Sequence, residues 1–303
     1  VSTAVPASVA RGAHVGRDRG VAPLLLAPAT LLVVACLVVP FWGMVWTSLT
    51  DLSFADPDRK GAFVGAANYL RLAQDDVFGA SLVRTTLFAL VATAIELVLG
   101  FALALLLHHA VRHTRVLLTA LLVPMMLAPI AVGLMWRLLL HGDFGVVTWL
   151  LREVGWLARD AAIFSDARLV MPVIVAIDVW QWTPFVTLVL LAALMGLPRA
   201  PFEAATMDGA DAWQRFVDVT LPLLRPVIGL VVLLRVIDAF KEFDKVWILT
   251  GGGPGDASEL LSLYAYRVSF QRWDLGYGAA IAVMVYVAVL VLATVFHRAT
   301  RSR

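Results

Sequence analysis

Six charged residues sit inside or at the edges of long apolar stretches: Arg84, Glu96, Arg137, Asp178, Arg235 and Asp238. Each is expensive in lipid, so each is by default paired or turned toward a cavity. Asp178, Trp180, Trp182 and Phe185 fall within two turns of one helix, with Asp178 and Trp182 on one face at i, i+4. A carboxylate beside aromatic faces suits the hydroxyls and C–H faces of a polyol. Asp238 and Glu242 repeat the i, i+4 spacing further on. The same residues admit a structural reading in which Arg235 simply neutralises Asp238 or Glu96.

Other chemistry finds no residues to rest on. The run Gly251 to Gly255 contains Pro254 and lacks a following Lys-Ser/Thr, so it reads as a loop and not as a phosphate cradle. His108, His109 and His113 form no credible metal set. No nucleophile–base arrangement stands out, and the expectation is a protein that is not an enzyme, with no catalytic and no metal residues.

The positioning elements are set by composition. Of 303 residues 61% are hydrophobic and 15% charged, a shift from soluble averages that points to lipid. A net charge of +2 is too small for a nucleic-acid surface. The lone Cys36 permits no intramolecular disulfide and reads as a small buried apolar residue. Arg11, Arg17 and Arg19 precede an apolar run longer than the 7–15 residues of a signal core, so a retained first span is expected.

A span needs about 20 mainly apolar residues. Six stretches qualify: about 22–48, 82–107, 116–140, 169–196, 223–248 and 276–297, the fifth interrupted by Arg235, Asp238, Lys241, Glu242 and Asp244. The expected fold is an all-α integral membrane domain over 21–297, with tails at 1–20 and 298–303. Basic residues near the span ends, among them Arg112, Arg115, Arg199, Arg298 and Arg301, place both termini in the cytoplasm. Prolines inside spans (Pro28, Pro40, Pro124, Pro129, Pro172, Pro184) invite kinks, whose freed carbonyls call for packed interfaces or a cavity.

One connector is unlike the rest. From Pro201 to Pro222 the apolar pattern breaks while helix signals persist. Pro201 suits a first turn, Gly209 a stop, and Asp211 with Gln214 a capping box. Trp213, Phe216 and Val217 then recur at i, i+3, i+4, and Pro222 is expected to end the run. The segment reads as two short helices with an apolar stripe that needs a partner. A hairpin lying on anionic lipid fits it badly, because Glu203, Asp208, Asp211 and Asp218 outnumber Arg215.

The pattern Glu203-Ala204-Ala205, three residues, Gly209, nine residues, Val219, one residue, Leu221-Pro222 resembles the EAA coupling loop of permease subunits of binding-protein-dependent ABC importers, with valine for the family's isoleucine. Phe63-Val64-Gly65 with Asn68-Tyr69 and the Trp180-to-Phe185 segment resemble segments of the same family, and Arg235-x-x-Asp238-Ala239-Phe240, Phe243-Asp244 and Leu249 to Gly255 resemble its carbohydrate-importer subgroup, which contains maltose and glycerol-phosphate permeases. The resemblance covers the chain from about Pro23 to Phe296.

It implies a type I ABC importer permease fold, with a cytoplasmic coupling loop at about 199–222. It also implies alternating-access import of a sugar or polyol delivered by an external solute-binding protein. A second homologous permease subunit and two cytosolic ATPase subunits are the implied partners, with ATP and Mg bound by the latter and no cofactor in this chain. The place is a prokaryotic plasma membrane, crossed several times. Glu203, Ala204, Ala205, Asp208, Gly209, Trp213, Phe216, Leu221 and Pro222 would meet the ATPase, Glu203 by a charge-assisted contact. Asp178, Trp180, Trp182, Phe185, Asp238 and Glu242 would line the substrate pathway. The alternative is a self-sufficient secondary transporter or channel, which usually carries repeats around a midplane ion site.

Overall fold

A computed structural model of the chain describes residues 21–109 and 114–301. The expected tail at 1–20, with Arg112 and His113, lies outside these residues. Regular structure among the described residues is helical, apart from an isolated bridge between Thr50 and Phe63. The molecule divides after Trp46 into two compact units.

Helix α1 (Val21–Ser48) supplies, up to Trp46, the described part of the first unit. Its 28 residues rise about 42 Å, enough for the roughly 30 Å of hydrocarbon. Residues 28–40 are all exposed and mostly apolar, as a lipid-facing surface requires. Cys36 is among them, exposed and not buried, because this stretch of helix presents apolar residues around its whole circumference.

The second unit runs from α2 (Ala67–Ala73) and α3 (Asp76–His109) through α4 (Thr114–Met126), α5 (Pro129–Leu139), α6 (Val146–Glu153) and α7 (Val170–Met195). It continues with α8 (Ala200–Met207), α9 (Ala212–Gln214), α10 (Leu221–Phe240), α11 (Asp244–Leu249), α12 (Leu261–Tyr266) and α13 (Leu275–Arg301). α3 begins well before the apolar run, because Asp75 caps it: the Val77 and Phe78 N–H groups donate to Asp75 Oδ1 at 2.9 and 3.1 Å. α13 carries helix through Arg301.

The third predicted span is broken. α4 and α5 meet at 95°. Pro129 opens α5, and the preceding Ala128 is extended (φ −61°, ψ 138°), as a residue before proline must be. The fifth span also departs from expectation. Its helix ends at Phe240 and not near 248, and the chain turns into α11, where the Lys245 N–H donates to the Glu242 carboxylate at 3.1 Å.

α7 is the central column, packed along α3, with α10 against both. Where α3 and α7 cross, Gly100 permits the approach: a Cβ there would sit 2.7 Å from Val186 Cγ1 and 3.1 Å from the Thr187 backbone nitrogen. The apolar core falls into two clusters. One holds Phe88, Ala92, Ile174, Ile177 and Phe240; the other holds Ala104, Leu107, Val186, Leu190 and Leu224. Between them lies a layer of buried polar side chains, Glu96, Asp178, Gln181 and Arg235.

The motif Phe63-Val64-Gly65 with Asn68-Tyr69 is structural. Asn68 Nδ2 donates to the Ser48 and Thr50 carbonyls at 2.9 and 2.8 Å, and Tyr69 Oη lies 2.7 Å from Ser48 Oγ. At the same end of the bundle Asp274 takes Arg59 and Arg71 at 3.2 and 2.8 Å. Burial raises the Asp274 carboxyl's pKa, but the hydrogen bonds from Arg71 and Arg59 outweigh it and hold the group below its ordinary value. Asp75 is likewise held low: burial opposes ionisation, and hydrogen bonds from Tyr264, Tyr277 and two backbone N–H groups overcome it.

Two outcomes follow. Gly100→Leu overpacks the α3–α7 crossing and is expected to cost about 1–3 kcal/mol, read as a lower thermal midpoint in detergent, with Gly100→Ala intermediate. Because the native pKa of Asp274 is depressed, its stabilisation is full above the unfolded value and lost as pH falls through the lower folded one. Thermal midpoints measured across that acid range are expected to fall less steeply in Asp274→Asn, which starts lower.

Candidate functional site

The polar layer is a connected belt of charge. Arg235, on α10 and 2% exposed, donates from Nε and Nη2 to the two Glu96 oxygens on α3 at 2.6 and 2.9 Å. Nη2 also reaches Asp178 Oδ2 on α7 at 2.9 Å, and Nη1 reaches Asp238 Oδ2 at 2.7 Å. Its guanidinium carbon stands 4.8 Å from the Trp182 ring centroid, within cation–π range. Its planar fork makes four bonds to three carboxylates, one more than the three donors of a lysine allow.

Lys245 closes the other side. Its Nζ contacts Asp178 Oδ1 at 2.5 Å, Glu242 Oε2 at 2.7 Å and Gln181 Oε1 at 3.1 Å, using all three donors. Gln181 Nε2 in turn donates to the Leu127 carbonyl at 3.2 Å, one of the backbone groups freed at the α4–α5 break. Asp178 is thus shared between both cations, and the belt ties α3, α7, α10, α11 and the broken span together.

The predicted pathway residues fall in and around this belt. Asp178 is fully buried with both oxygens engaged. Trp182 is partly buried under Arg235, and Phe185 stands edge-on to it at 6.4 Å. Trp180 is partly buried and meets Trp136 of α5 at 5.5 Å. The Asp238 side chain keeps 45% exposure, while that of Glu242 keeps 9%. Asp238 and Glu242 do not share a helix face, since α10 ends between them; they enter the belt through different cations. Arg84 bonds the Glu259 carbonyl at 3.2 Å and Arg137 the Ile248 carbonyl at 2.9 Å, so both settle on backbone.

Lys245 and Gln181 are belt members that the periodicity did not single out. Lys245 lies in the aromatic-apolar run Phe243 to Leu249, where it looks like a helix-face residue. The signal available was its i, i+3 spacing from Glu242.

The connector has its own geometry. Glu203 lies exposed in the first turn of α8, where the helix dipole favours an acid. Ala204 and Ala205 keep the following turn slim, and Asp208 is its C-cap. Gly209 takes φ +79°, a left-handed turn that a Cβ would strain. The capping box is formed: Gln214 N donates to Asp211 Oδ1, and Asp211 N to Gln214 Oε1, both at 2.8 Å.

Pro222 does not end the run. The helix widens to i→i+5 turns over Arg215–Thr220 and continues as α10 through Leu221 and Pro222. The wider turns accommodate the proline, which has no N–H to donate. The second helix of the pair is therefore the foot of the fifth span. In its apolar stripe, Phe216 packs on Phe101 of α3 at 5.5 Å and on Trp213 at 5.6 Å. Trp213 is 70% exposed and Met207 88%, an apolar tip facing away from the bundle.

Comparison with known proteins gives a consistent result. Residues 96–303 match the family described as binding-protein-dependent transport system inner membrane component. The trehalose/maltose transport system permease protein of Thermococcus litoralis is 35% identical, over 95% of this chain and 96% of that protein. The trehalose transport system permease protein of Mycobacterium tuberculosis is 33% identical, over 92% of this chain and 88% of that one. Among solved structures, a bacterial alginate ABC transporter in complex with a periplasmic protein aligns with a TM-score of 0.78 at 21% identity, covering 94% of this chain and 95% of that one. The fold is that of type I ABC transporter permeases.

Removing Arg235 strands buried carboxylates. Arg235→Met is expected to cost about 3–5 kcal/mol, the range for breaking a buried ion pair, with Arg235→Lys recovering only part. Thermal midpoints and monodisperse yield in detergent measure both.

Proposed function

The chain belongs to the binding-protein-dependent transport system inner membrane component family, and on that premise we propose that it imports a sugar or polyol by alternating access, driven by ATP hydrolysed in separate subunits. It is a multi-pass permease subunit of a binding-protein-dependent importer. The carbohydrate assignment draws on the relatives: the permeases of Thermococcus litoralis and Mycobacterium tuberculosis carry trehalose/maltose and trehalose names, and one from Agrobacterium fabrum, 32% identical, is a sulfoquinovosyl glycerol permease. In this reading a second permease subunit, two cytosolic ATPases holding ATP and Mg, and an external binding protein complete the machine. Both termini and α8 face the cytoplasm.

The observation that carries the reading is mechanical. From Ala212 to Phe240 the connector's second helix and the fifth span form one 29-residue helical rod, about 43 Å long. Its foot carries the capping box and the Trp213–Phe216 stripe; its far end carries Arg235 and Asp238. A push on α8 by a closing ATPase pair reaches the rod through the tight Gly209 turn and arrives at the belt, where Arg235 joins α3 and α7. The ATPase contact falls on Glu203, Ala204, Ala205, Asp208, Gly209, Trp213, Phe216, Leu221 and Pro222. Substrate passes along the face bearing Asp178, Trp180, Trp182, Phe185, Asp238 and Glu242. In the conformation described, Asp238 and the partly exposed rings of Trp180, Trp182 and Phe185 are the groups accessible to hydroxyls.

Glu203→Lys removes a charge-assisted contact worth about 1.5–3 kcal/mol, roughly a tenfold to hundredfold loss. Gly209→Val forces a branched side chain into a left-handed turn. Both variants are expected to cut uptake in proteoliposomes by about tenfold or more, with ATP hydrolysis persisting but no longer stimulated by loaded binding protein. Solute capture by the binding protein stays intact. Unchanged uptake in both variants would remove the coupling role from this loop.

A further inference from the structure

Taken flat, the connector is acidic, with Glu203, Asp208, Asp211 and Asp218 against Arg215. The fold sorts these charges. A groove of about 820 Å³ opens between the ends of α3 and α7 and the α8–α9 pair. Arg199 and Arg215 both line it, and of the four acids only Glu203 does. Arg199 is exposed and makes no ion pair among the described residues. Arg215 is half-buried and has no carboxylate partner, only two long bonds of 3.4 Å to the Asp211 carbonyl and Thr206 Oγ1. Two guanidinium groups therefore line the groove with one carboxylate, Glu203, and neither forms an ion pair with it.

The groove's depth and walls are equally informative. Leu105, Leu194 and Phe216 line it with apolar surface. α7 ends at Met195 and α10 begins at Leu221, so Leu194 and Thr220 sit at the ends of these two helices. Met195 is 73% exposed and Leu221 40% exposed at that level. Paired cations beside apolar walls, at the ends of long apolar helices, match a ligand with an anionic head and a hydrocarbon tail.

We propose that this groove seats an anionic phospholipid, its phosphate between Arg199 and Arg215 and its upper acyl chain along Leu105, Leu194 and Leu197. A soluble phosphate would satisfy the arginines but leave the walls bare. A zwitterionic lipid would bring its own cation toward two others. The site does not depend on what the permease carries.

The test is native mass spectrometry of the full chain in detergent, titrated with phosphatidylglycerol or phosphatidylcholine. Phosphatidylglycerol is expected to bind at least about tenfold more tightly. The double variant Arg199→Gln/Arg215→Gln is expected to lose about twenty-five-fold, fivefold per arginine, while Arg199→Lys/Arg215→Lys keeps most of the affinity. If the glutamine double variant does not fold, Arg199→Gln alone, on an exposed side chain, carries the comparison with about a fivefold loss expected. Equal binding of the two lipids, or unchanged affinity in the glutamine variants, overturns the proposal. So does displacement by excess glycerol phosphate or inorganic phosphate, which marks a soluble-anion site. Photocrosslinking from position 199 to another protein in place of lipid would overturn it as well.

Discussion

A guanidinium 2% exposed within an apolar bundle must be paired, and Arg235 is paired by acids that three helices present together. Glu96 on α3, Asp178 on α7 and Asp238 on α10 itself converge on it. Rotation of either partner helix by one residue would carry its acid about 100° away and leave a buried charge unpaired. Helix rotation in this core is therefore fixed by electrostatics more sharply than by the apolar clusters above and below, whose leucines and valines tolerate repacking. Lys245 extends the same constraint. To reach Asp178 it needs α10 to stop at Phe240, and that stop places α11 against α5 at Gly133, where a Cβ would meet Ile248 Cβ at 3.0 Å.

The belt and the connector are two ends of one object. A helix that stopped at Pro222 would leave the connector hinged to the span, and a push at α8 would dissipate in the hinge. Widened turns over Arg215–Thr220 instead carry the helix through the proline, with Thr220 Oγ1 donating to the Arg215 carbonyl at 3.2 Å. Phe216 braces the foot of the rod on Phe101 of α3, the helix that also supplies Glu96. Motion at the foot is thus referred to the same helix that holds the head.

Much of this was legible in the sequence. The apolar stretches located the spans to within a few residues at most ends, and the Asp211–Gln214 box and the Gly209 turn formed as their residue types require. What failed did so for physical reasons. Hydropathy averages over a window, so it ran the fifth span on through Val246 to Ile248 and hid the turn at Lys241. Proline rules weigh the lost N–H but not a wider helical turn that accommodates it, so Pro222 read as a stop. Spacing put Asp238 and Glu242 on one face, whereas each is pulled by a different cation. The long-range pairs of the belt, such as Arg235 with Glu96, are separated by 139 residues, and no local periodicity encodes them.

The charge count governs what such a belt can do. Four carboxylates, Glu96, Asp178, Asp238 and Glu242, face two buried cations, with Lys241 adding a third at 3.9 Å from Asp238 on the exposed rim. Acceptors are in excess around Arg235. If α10 slides so that Arg235 leaves Asp178, Glu96 and Asp238 still hold it, and Lys245 still holds Asp178. A belt with one acceptor per donor would strand a buried charge on the same movement, at several kcal/mol. Sharing Asp178 between two cations turns a rigid lock into one whose helices can exchange partners while every cation stays paired. A permease that must move its spans inside a hydrocarbon layer requires that property.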